Sequence, residues 1–328
     1  MLGIVSAGLI HRDNASNGTI YFFDKGGSKK LSGPPVYLWR TSLRKINPDG
    51  SDITNVQEYG PPVQTPNEPL GARSFSYDPV GKQFYFASSR NVFRIEFDGT
   101  SLTNLVTDTE YLQSVVVHKQ KVWYSTFHSG LIKRMNLDGS DVETFLNVSQ
   151  GLNPIQWASS SARGIAIDDT NNFIYWSSDG GADFALPHRG SIRRAPLQAN
   201  TTAIEVLAQD IIYPLQMRLS QSGALYWGEA NYTTAALRRA YFAPDRVLQP
   251  GDTEIETLFS NKTHPELLPY PLTGFALSSN EEKAWITAVD DFTNSGRIIE
   301  ASLSGGESRI VINNTTLTGL PIGVEYII

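Results

Sequence analysis

The chain contains six copies of one sequence repeat, and this repeat restricts the fold more than any single residue does. The clearest copy has four segments, residues 162–168, 173–178, 190–195 and 203–207. Each segment is a short run of apolar and β-branched residues bounded by turn residues, so one repeat predicts a four-stranded antiparallel meander. Repeats of about 40–50 residues with four strands each are typical of a β-propeller.

The four strands of each copy, lettered a to d, keep their own character. Strand b is aromatic in every copy, as at Tyr85, Trp123 and Trp176. Strand c carries a basic column in five copies and an acidic residue in the sixth: Lys45, Arg94, Arg134, Arg194, Arg239 and Glu300. Three copies place an Asp-Gly turn between strands c and d, a strong hairpin signal because such a turn needs positive φ. The sequence therefore predicts an all-β fold with six blades.

The first copy lacks a strand a, and residues 322–327 at the other end of the chain supply one. Pairing this segment with the first blade closes the ring and removes open sheet edges. We therefore expect one domain over residues 1–328. Its expected blades are 19–57 with 320–328, 72–108, 112–147, 162–209, 214–261 and 272–314.

Several strand endings resemble the YWTD-type six-bladed propeller, the class B repeat domain of the low-density-lipoprotein-receptor family. The matching segments are Tyr21-Phe22-Phe23-Asp24, Tyr175-Trp176-Ser177-Ser178, Tyr226-Trp227-Gly228-Glu229 and Leu137-Asp138-Gly139 after Ile132-Lys133-Arg134. The resemblance covers nearly the whole chain, but the fourth place of the motif is acidic only at Asp24 and Glu229. Those receptors flank the propeller with cysteine-rich modules, whereas this chain has no cysteine, so we carry over no ligand-binding residue.

Composition excludes several classes of function. The absence of cysteine excludes thiolate catalysis and thiolate metal sites. A net charge of −6 argues against a nucleic-acid partner, because phosphate recognition requires a basic face. No apolar run approaches the roughly 20 residues that span a bilayer. We expect a monomer that needs no cofactor.

Eight glycosylation sequons indicate the compartment. Each has Ser or Thr two places after the asparagine and no intervening proline: Asn14, Asn17, Asn147, Asn200, Asn231, Asn261, Asn313 and Asn314. All are expected in loops or at strand ends, where a glycan can be tolerated. They predict a secreted glycoprotein. Residues 2–10 are either the remnant of a secretory signal or an ordinary edge strand.

The connections from strand d to strand a and from strand b to strand c share one face of a propeller, which we call the long-loop face. Residues 25–35, 57–71, 147–161, 179–189 and 260–271 form long loops there. Long loops on a rigid scaffold are common binding sites. Trp157, His188 and Tyr270 put aromatic and imidazole groups in these loops, which favours a protein or carbohydrate ligand.

Strand a begins at the long-loop face, so its first residue is expected at the mouth of the central channel. Arg73, Gln113 and Arg163 hold this place in three successive blades and could grip a carboxylate. The alternative is that the arginines bind loop carbonyls. Deeper in the channel, Arg218 and Glu325 share one place of strand a, two blades apart. An interior ion pair or a water network is the simplest role for them, with proton handling as the alternative.

An enzyme is the main alternative to a binding protein. Glu229, Asp290 and Asp291 are hard oxygen ligands predicted in equivalent loops of neighbouring blades, and they could hold calcium. Six-bladed calcium-dependent hydrolases and lactonases use that region, so this interpretation rests on fold analogy. The sequence thus favours a non-catalytic binding module that uses the long-loop face and the channel mouth. A calcium-dependent hydrolase and a carbohydrate-binding protein with exposed aromatic residues remain as alternatives.

Overall fold

The structure is a computed structural model. It describes residues 18–24, 29–30, 37–38, 42–58, 72–149, 162–178, 190–230, 234–242, 247–248, 251–290, 295–313 and 321–327.

All the regular elements in these ranges are β-strands. The first half contains β1 (Thr19–Asp24), β2 (Lys29–Lys30), β3 (Tyr37–Leu38), β4 (Ser42–Ile46), β5 (Thr54–Glu58), β6 (Ala72–Asp78), β7 (Gln83–Ser88), β8 (Asn91–Glu96), β9 (Thr103–Thr107), β10 (Leu112–His118), β11 (Lys121–Thr126), β12 (Leu131–Asn136) and β13 (Glu143–Asn147). The second half contains β14 (Ile165–Asp168), β15 (Phe173–Ser178), β16 (Gly190–Pro196), β17 (Glu205–Ile211), β18 (Pro214–Leu219), β19 (Leu225–Glu229), β20 (Ala236–Ala240), β21 (Glu256–Ser260), β22 (Leu272–Leu277), β23 (Lys283–Asp290), β24 (Ser295–Ser302), β25 (Arg309–Ile312) and β26 (Pro321–Ile327).

Within the described ranges, 24 strands form six four-stranded antiparallel sheets, and β2 and β3 form a separate hairpin. Five sheets follow chain order, β6–β9, β10–β13, β14–β17, β18–β21 and β22–β25. The sixth has the order β26-β1-β4-β5, so the C-terminal strand completes the first blade. It pairs along the whole of β1, from Thr19 opposite Ile327 to Asp24 opposite Pro321. The predicted six-bladed all-β fold and its closure by the C-terminal strand are confirmed.

The hydrophobic core is divided among the joints between blades. Six clusters of buried side chains each combine residues from two neighbouring blades. The aromatic residues of strand b lie in these clusters, and Trp176, Trp227 and Trp285 are fully buried. Because each joint buries apolar surface from both sides, a blade has no complete core of its own, and the ring must close before the last joint is covered.

The basic column of strand c lies opposite the aromatic column of strand b. Tyr175 faces Arg194 across the sheet, and Arg194 in turn faces Glu205 of the outer strand, with Nε 2.7 Å from Oε2. The sixth blade reverses these charges. Its strand c residue is Glu300, and it pairs with Lys283 at 2.8 Å and with Arg309 of the outer strand at 3.1 Å. The acidic residue of strand c in the sixth blade is therefore matched by basic partners, so opposite charges still lie on neighbouring strands.

The Asp-Gly turns connect strands c and d as predicted. Gly99 and Gly139 have φ of 87° and 90°, where a side chain would be strained. A Cβ at Gly139 would also lie 2.7 Å from the carbonyl oxygen of Leu105 in the preceding blade. These glycines are therefore needed both for the turn and for the close approach of neighbouring blades.

The alternating residues 141–146 and 254–259 predict outer strands that begin at residues 141 and 254. Both strands begin later in the structure, β13 at Glu143 and β21 at Glu256. Asp141 has a φ of 53°, a left-handed conformation that belongs to the turn rather than to an extended strand. No helix in the described part of the chain is long and apolar enough to cross a membrane.

Candidate functional site

The six strands that carry position a, β26, β6, β10, β14, β18 and β22, contact one another around the channel. We call them the inner strands. Each inner strand runs from the long-loop face to the opposite face, where tight a-to-b and c-to-d turns lie. We call that second face the turn face.

Two of the predicted mouth residues meet at the long-loop face. Arg163 Nη1 donates to Gln113 Oε1 over 3.0 Å, across the joint between the third and fourth blades. Phe127 lies beneath Arg163, with its ring centroid 4.5 Å from the guanidinium carbon. Ring and amide together hold the guanidinium in one orientation, since the cation is attracted to the ring face.

Gln113 has unused hydrogen-bonding capacity. The residue is only 7% exposed, and its Nε2 is buried without a hydrogen-bond partner among the described residues. Because Arg163 donates to the oxygen of Gln113, the amide nitrogen is the part of this side chain that remains to donate. A buried amide N–H without an acceptor is costly, so an acceptor that reached this atom would be bound favourably.

A group of residues beside this pair extends the site over the second and third blades. Tyr111 is 42% exposed, and the guanidinium of Arg90 lies 5.3 Å from its ring centroid. Glu110 accepts hydrogen bonds from the backbone N–H groups of His128 at 3.1 Å and Ser129 at 2.9 Å, which fixes the loop that carries Phe127. We call Arg90, Tyr111, Phe127 and His128 the aromatic ledge.

The aromatic ledge is not among the residues predicted from the sequence, because its members lie in short connections and not in the long loops. A signal is present in the sequence, since Tyr111 directly precedes the strand that carries Gln113 and Phe127 directly follows the next strand.

The other predicted members of the mouth are placed differently. Arg73 belongs to β6, but its side chain lies outside the described part, as do Trp157 and His188. Tyr270 is partly buried against the core of the fifth and sixth blades. Arg297 covers its ring at 5.6 Å and donates to the carbonyl oxygen of Leu267 at 3.4 Å. Arg297 thus holds the loop that carries Tyr270, between the fifth and sixth blades, against the sixth blade.

The candidate calcium ligands are not assembled in the described residues. Glu229, at the end of β19, is 3% exposed and accepts from Arg238 Nη2 at 3.1 Å and from Trp227 Nε1 at 3.4 Å. Burial raises the pKa of Glu229, although the nearby Arg238 acts in the opposite direction. Asp290 ends β23 rather than lying in a loop; its side chain and Asp291 lie outside the described part. The described residues contain no group of three acidic or histidine side chains that could hold a metal.

Arg218 and Glu325 form an ion pair inside the channel. Arg218 Nη2 lies 2.7 Å from Glu325 Oε1, and it also donates to the carbonyl oxygen of Val324 over 3.2 Å. Arg218 Nε donates to the carbonyl oxygen of Phe275 over 2.8 Å. One side chain of the fifth blade therefore binds the sixth blade and the C-terminal strand of the first. Burial raises the pKa of Glu325, and Arg218 opposes that effect only in part.

Four of the eight sequons lie among the described residues. Asn147, Asn200 and Asn313 are exposed, and Asn261 is partly buried. Asn147 ends β13, and its Oδ1 accepts from the backbone N–H of Ser149 at 3.0 Å and from the Ser149 hydroxyl at 2.6 Å. Asn14, Asn17, Asn231 and Asn314 lie outside the described part.

A scan against protein-family models and a search of curated proteins found no match. Solved structures do match. A chain from "Crystal structure of Nidogen/Laminin Complex" is 14% identical with a TM-score of 0.65, and the match covers 95% of this chain and 99% of that one. TolB from Acinetobacter baumannii is 12% identical with a TM-score of 0.64, over 95% and 67% of the two chains.

A luciferin-regenerating enzyme is 12% identical with a TM-score of 0.54, over 76% of this chain and 78% of that one. At such identities the likeness is one of fold, and the same fold carries different functions in these proteins. What this chain does therefore depends on its own residues.

Proposed function

We propose that the protein is a secreted, N-glycosylated propeller of the YWTD type that acts as a non-catalytic binding module, and that its channel mouth binds a carboxylate of a protein ligand. The observation that carries the proposal is the pair formed by Arg163 and Gln113. A guanidinium held at 3.0 Å from an amide oxygen lies next to a buried amide nitrogen that lacks an acceptor in the described part of the chain.

The chemistry of this pair suits a carboxylate. A carboxylate has two oxygens, and here one can accept from the guanidinium while the other accepts from Nε2 of Gln113. Hydrogen bonds to charged groups are stronger than neutral ones, and burial strengthens them further. A cationic ligand would meet the positive charge of Arg163 instead.

The aromatic ledge favours a protein over a free small anion. Tyr111, Phe127 and His128 offer ring surface beside the pair, and aromatic and arginine side chains are enriched at protein interfaces. The nidogen propeller that shares this fold was solved in a complex with laminin. This supports a binding role for the fold, but the residues here must provide their own specificity.

Secretion is supported by the positions of the sequons. Asn147, Asn200 and Asn313 lie exposed at strand ends or turns, where a glycan meets no packed surface. The resemblance to YWTD propellers is consistent with an extracellular setting.

The proposal can be tested with a phage-displayed library of random peptides selected on the immobilised protein. We expect the selected peptides to be enriched in aspartate or glutamate and to bind the Arg163→Met variant about 10- to 100-fold more weakly, which corresponds to about 1.5–3 kcal/mol. Methionine keeps an apolar stem of similar length over Phe127.

A second variant separates binding from folding. Gln113→Glu keeps an oxygen for Arg163 but replaces the amide nitrogen with an oxygen that repels a carboxylate. It should fold with an unchanged or higher melting temperature and lose peptide binding. Arg297→Met, on the same face over Tyr270, is the matched control and should bind normally. Peptides without acidic residues, or full binding by both mouth variants, would overturn the proposal.

A further inference from the structure

We propose that the channel holds a second site, which opens at the turn face and binds a small neutral polyol of monosaccharide size. This inference does not depend on the proposed function, because it concerns the other end of the channel and different residues.

The channel contains a cavity of about 370 Å³. All six inner strands contribute to its wall, from Ser74 of β6 to Glu325 of β26, and the lining continues into the turns that follow β18 and β22. Its opening therefore faces the turn side of the ring. The volume lies within the range of about 300–1,000 Å³ usual for small-molecule sites.

Inside the cavity, away from its rim, four lining residues keep a polar side-chain atom that has no protein partner among the described residues. These atoms are Ser114 Oγ, Gln216 Nε2, Arg218 Nη1 and Glu325 Oε2, from the third, fifth and first blades. In Gln216, Arg218 and Glu325 the other polar atoms are engaged. Gln216 Oε1 accepts from the backbone N–H of Phe275 at 2.7 Å, which directs the amide nitrogen elsewhere. These three side chains are therefore already held in place, and the Ser114 side chain is short and buried.

The charges inside the cavity are balanced, which favours a neutral ligand there. Arg218 and Glu325 neutralise each other at 2.7 Å. At the rim, Asp169 Oδ2 lies 2.6 Å from His118 Nε2 and 2.9 Å from Lys119 Nζ. An anion would meet Glu325, and a cation would meet Arg218.

Glu281, the remaining acidic residue of the lining, is occupied in the same way. Its carboxylate accepts from the Tyr226 hydroxyl at 2.7 Å and from Ser222 Oγ at 3.0 Å. These bonds occupy its oxygens but leave its negative charge in place, in the turn that follows β22 at the rim of the cavity.

The mixture of free atoms suits hydroxyl groups. Gln216 and Arg218 offer donors, Glu325 offers an acceptor, and the Ser114 hydroxyl is both. Every hydroxyl of a polyol can donate and accept, so it can replace the waters that these atoms would otherwise bind. Val116, Ala166 and Ala276 provide apolar wall for the C–H faces of the ligand. An amino acid is less suitable, because its charges would have to break the existing ion pair.

The test measures binding of glucose, galactose, mannose and myo-inositol by saturation-transfer NMR, with titrations for any sugar that responds. We expect at least one to bind, and Ser114→Ala to weaken it about 2- to 10-fold, the loss of one hydrogen bond. The melting temperature should not change, because Ser114 Oγ has no protein partner. Ser304→Ala, at an exposed turn of the sixth blade, is the matched control.

A charge variant gives a second readout. Glu325→Gln keeps an oxygen for Arg218 but removes the negative charge, so it should shift preference from glucose towards glucuronate. The proposal would be overturned if none of the four polyols bound, if glycine or alanine bound in their place, or if binding were unaffected by Ser114→Ala.

Discussion

Replacement of Arg218 by methionine should test how much the ion pair inside the channel stabilises the closed ring. The side chain joins three blades, because it binds the carbonyl oxygens of Phe275 and Val324 and the carboxylate of Glu325. Methionine preserves most of the apolar stem and removes all three hydrogen bonds. The ion pair that links the fifth blade to the C-terminal strand of the first blade inside the channel is then lost.

The magnitude depends mainly on the partner that is left behind. The Arg218 side chain is 26% exposed, so water can replace part of its bonds to the two carbonyls. The Glu325 side chain is only 11% exposed, and an unpaired buried charge costs about 3–5 kcal/mol. We therefore expect Arg218→Met to lower the free energy of unfolding by about 3–5 kcal/mol, a large part of the 5–15 kcal/mol typical of a domain.

Urea denaturation of the single and double variants measures this effect. Arg218→Met with Glu325→Gln should lose at least about 1 kcal/mol less than the sum of the two single variants, because the double variant leaves no unpaired charge. Arg134→Met, which breaks an exposed pair with Glu143 within the third blade, is the control and should cost about 1 kcal/mol or less.

The pH dependence of the loss has a definite sign. Burial raises the pKa of Glu325 in the folded state, so its contribution to stability is complete below the ordinary value of 4.5 and falls as the pH rises through the raised pKa. Without Arg218 that pKa rises further. The cost of Arg218→Met should therefore be larger at pH 7 than near pH 4.5. Additive effects of the two substitutions, or a cost that grows as the pH falls, would refute the reasoning.

Three further outcomes are expected. Removal of residues 321–328 deletes β26 with the buried Val324 and exposes the edges of two blades, so it should prevent stable folding. A monomeric product with an unchanged melting temperature would contradict closure of the ring by β26. Gly164→Ala places a Cβ 2.3 Å from the carbonyl oxygen of Leu215 and should lower the free energy of unfolding by about 1–3 kcal/mol in urea denaturation. An unchanged midpoint would show that the fourth and fifth blades can move apart without cost. Expression in a eukaryotic secretory host should give a protein whose mass falls on amidase removal of N-glycans, with Asn147, Asn200 and Asn313 occupied; bare asparagine at all eight sequons would refute secretion through that route.

Local patterns in the sequence were sufficient to predict the architecture. Alternation with period two, aromatic strand b residues and Asp-Gly turns recur at a spacing that only a four-stranded blade satisfies, and the missing first strand reappears at residues 322–327. The pairing of β26 with β1 follows, because a ring that stayed open would expose two sheet edges. The common strand position of Gln113 and Arg163 also followed from the repeat.

The tertiary structure decided which side chains meet between blades. Arg163 lies over Phe127, Arg218 binds the carbonyls of Phe275 and Val324, and Glu229 pairs with Arg238. The period-two pattern of a strand predicts which face of the sheet a side chain lies on. The distance between two neighbouring blades depends instead on the twist of each sheet and on the angles at the six joints, which together complete the ring. The channel cavity has the same origin, since its wall takes residues from all six inner strands and exists only when the ring is closed.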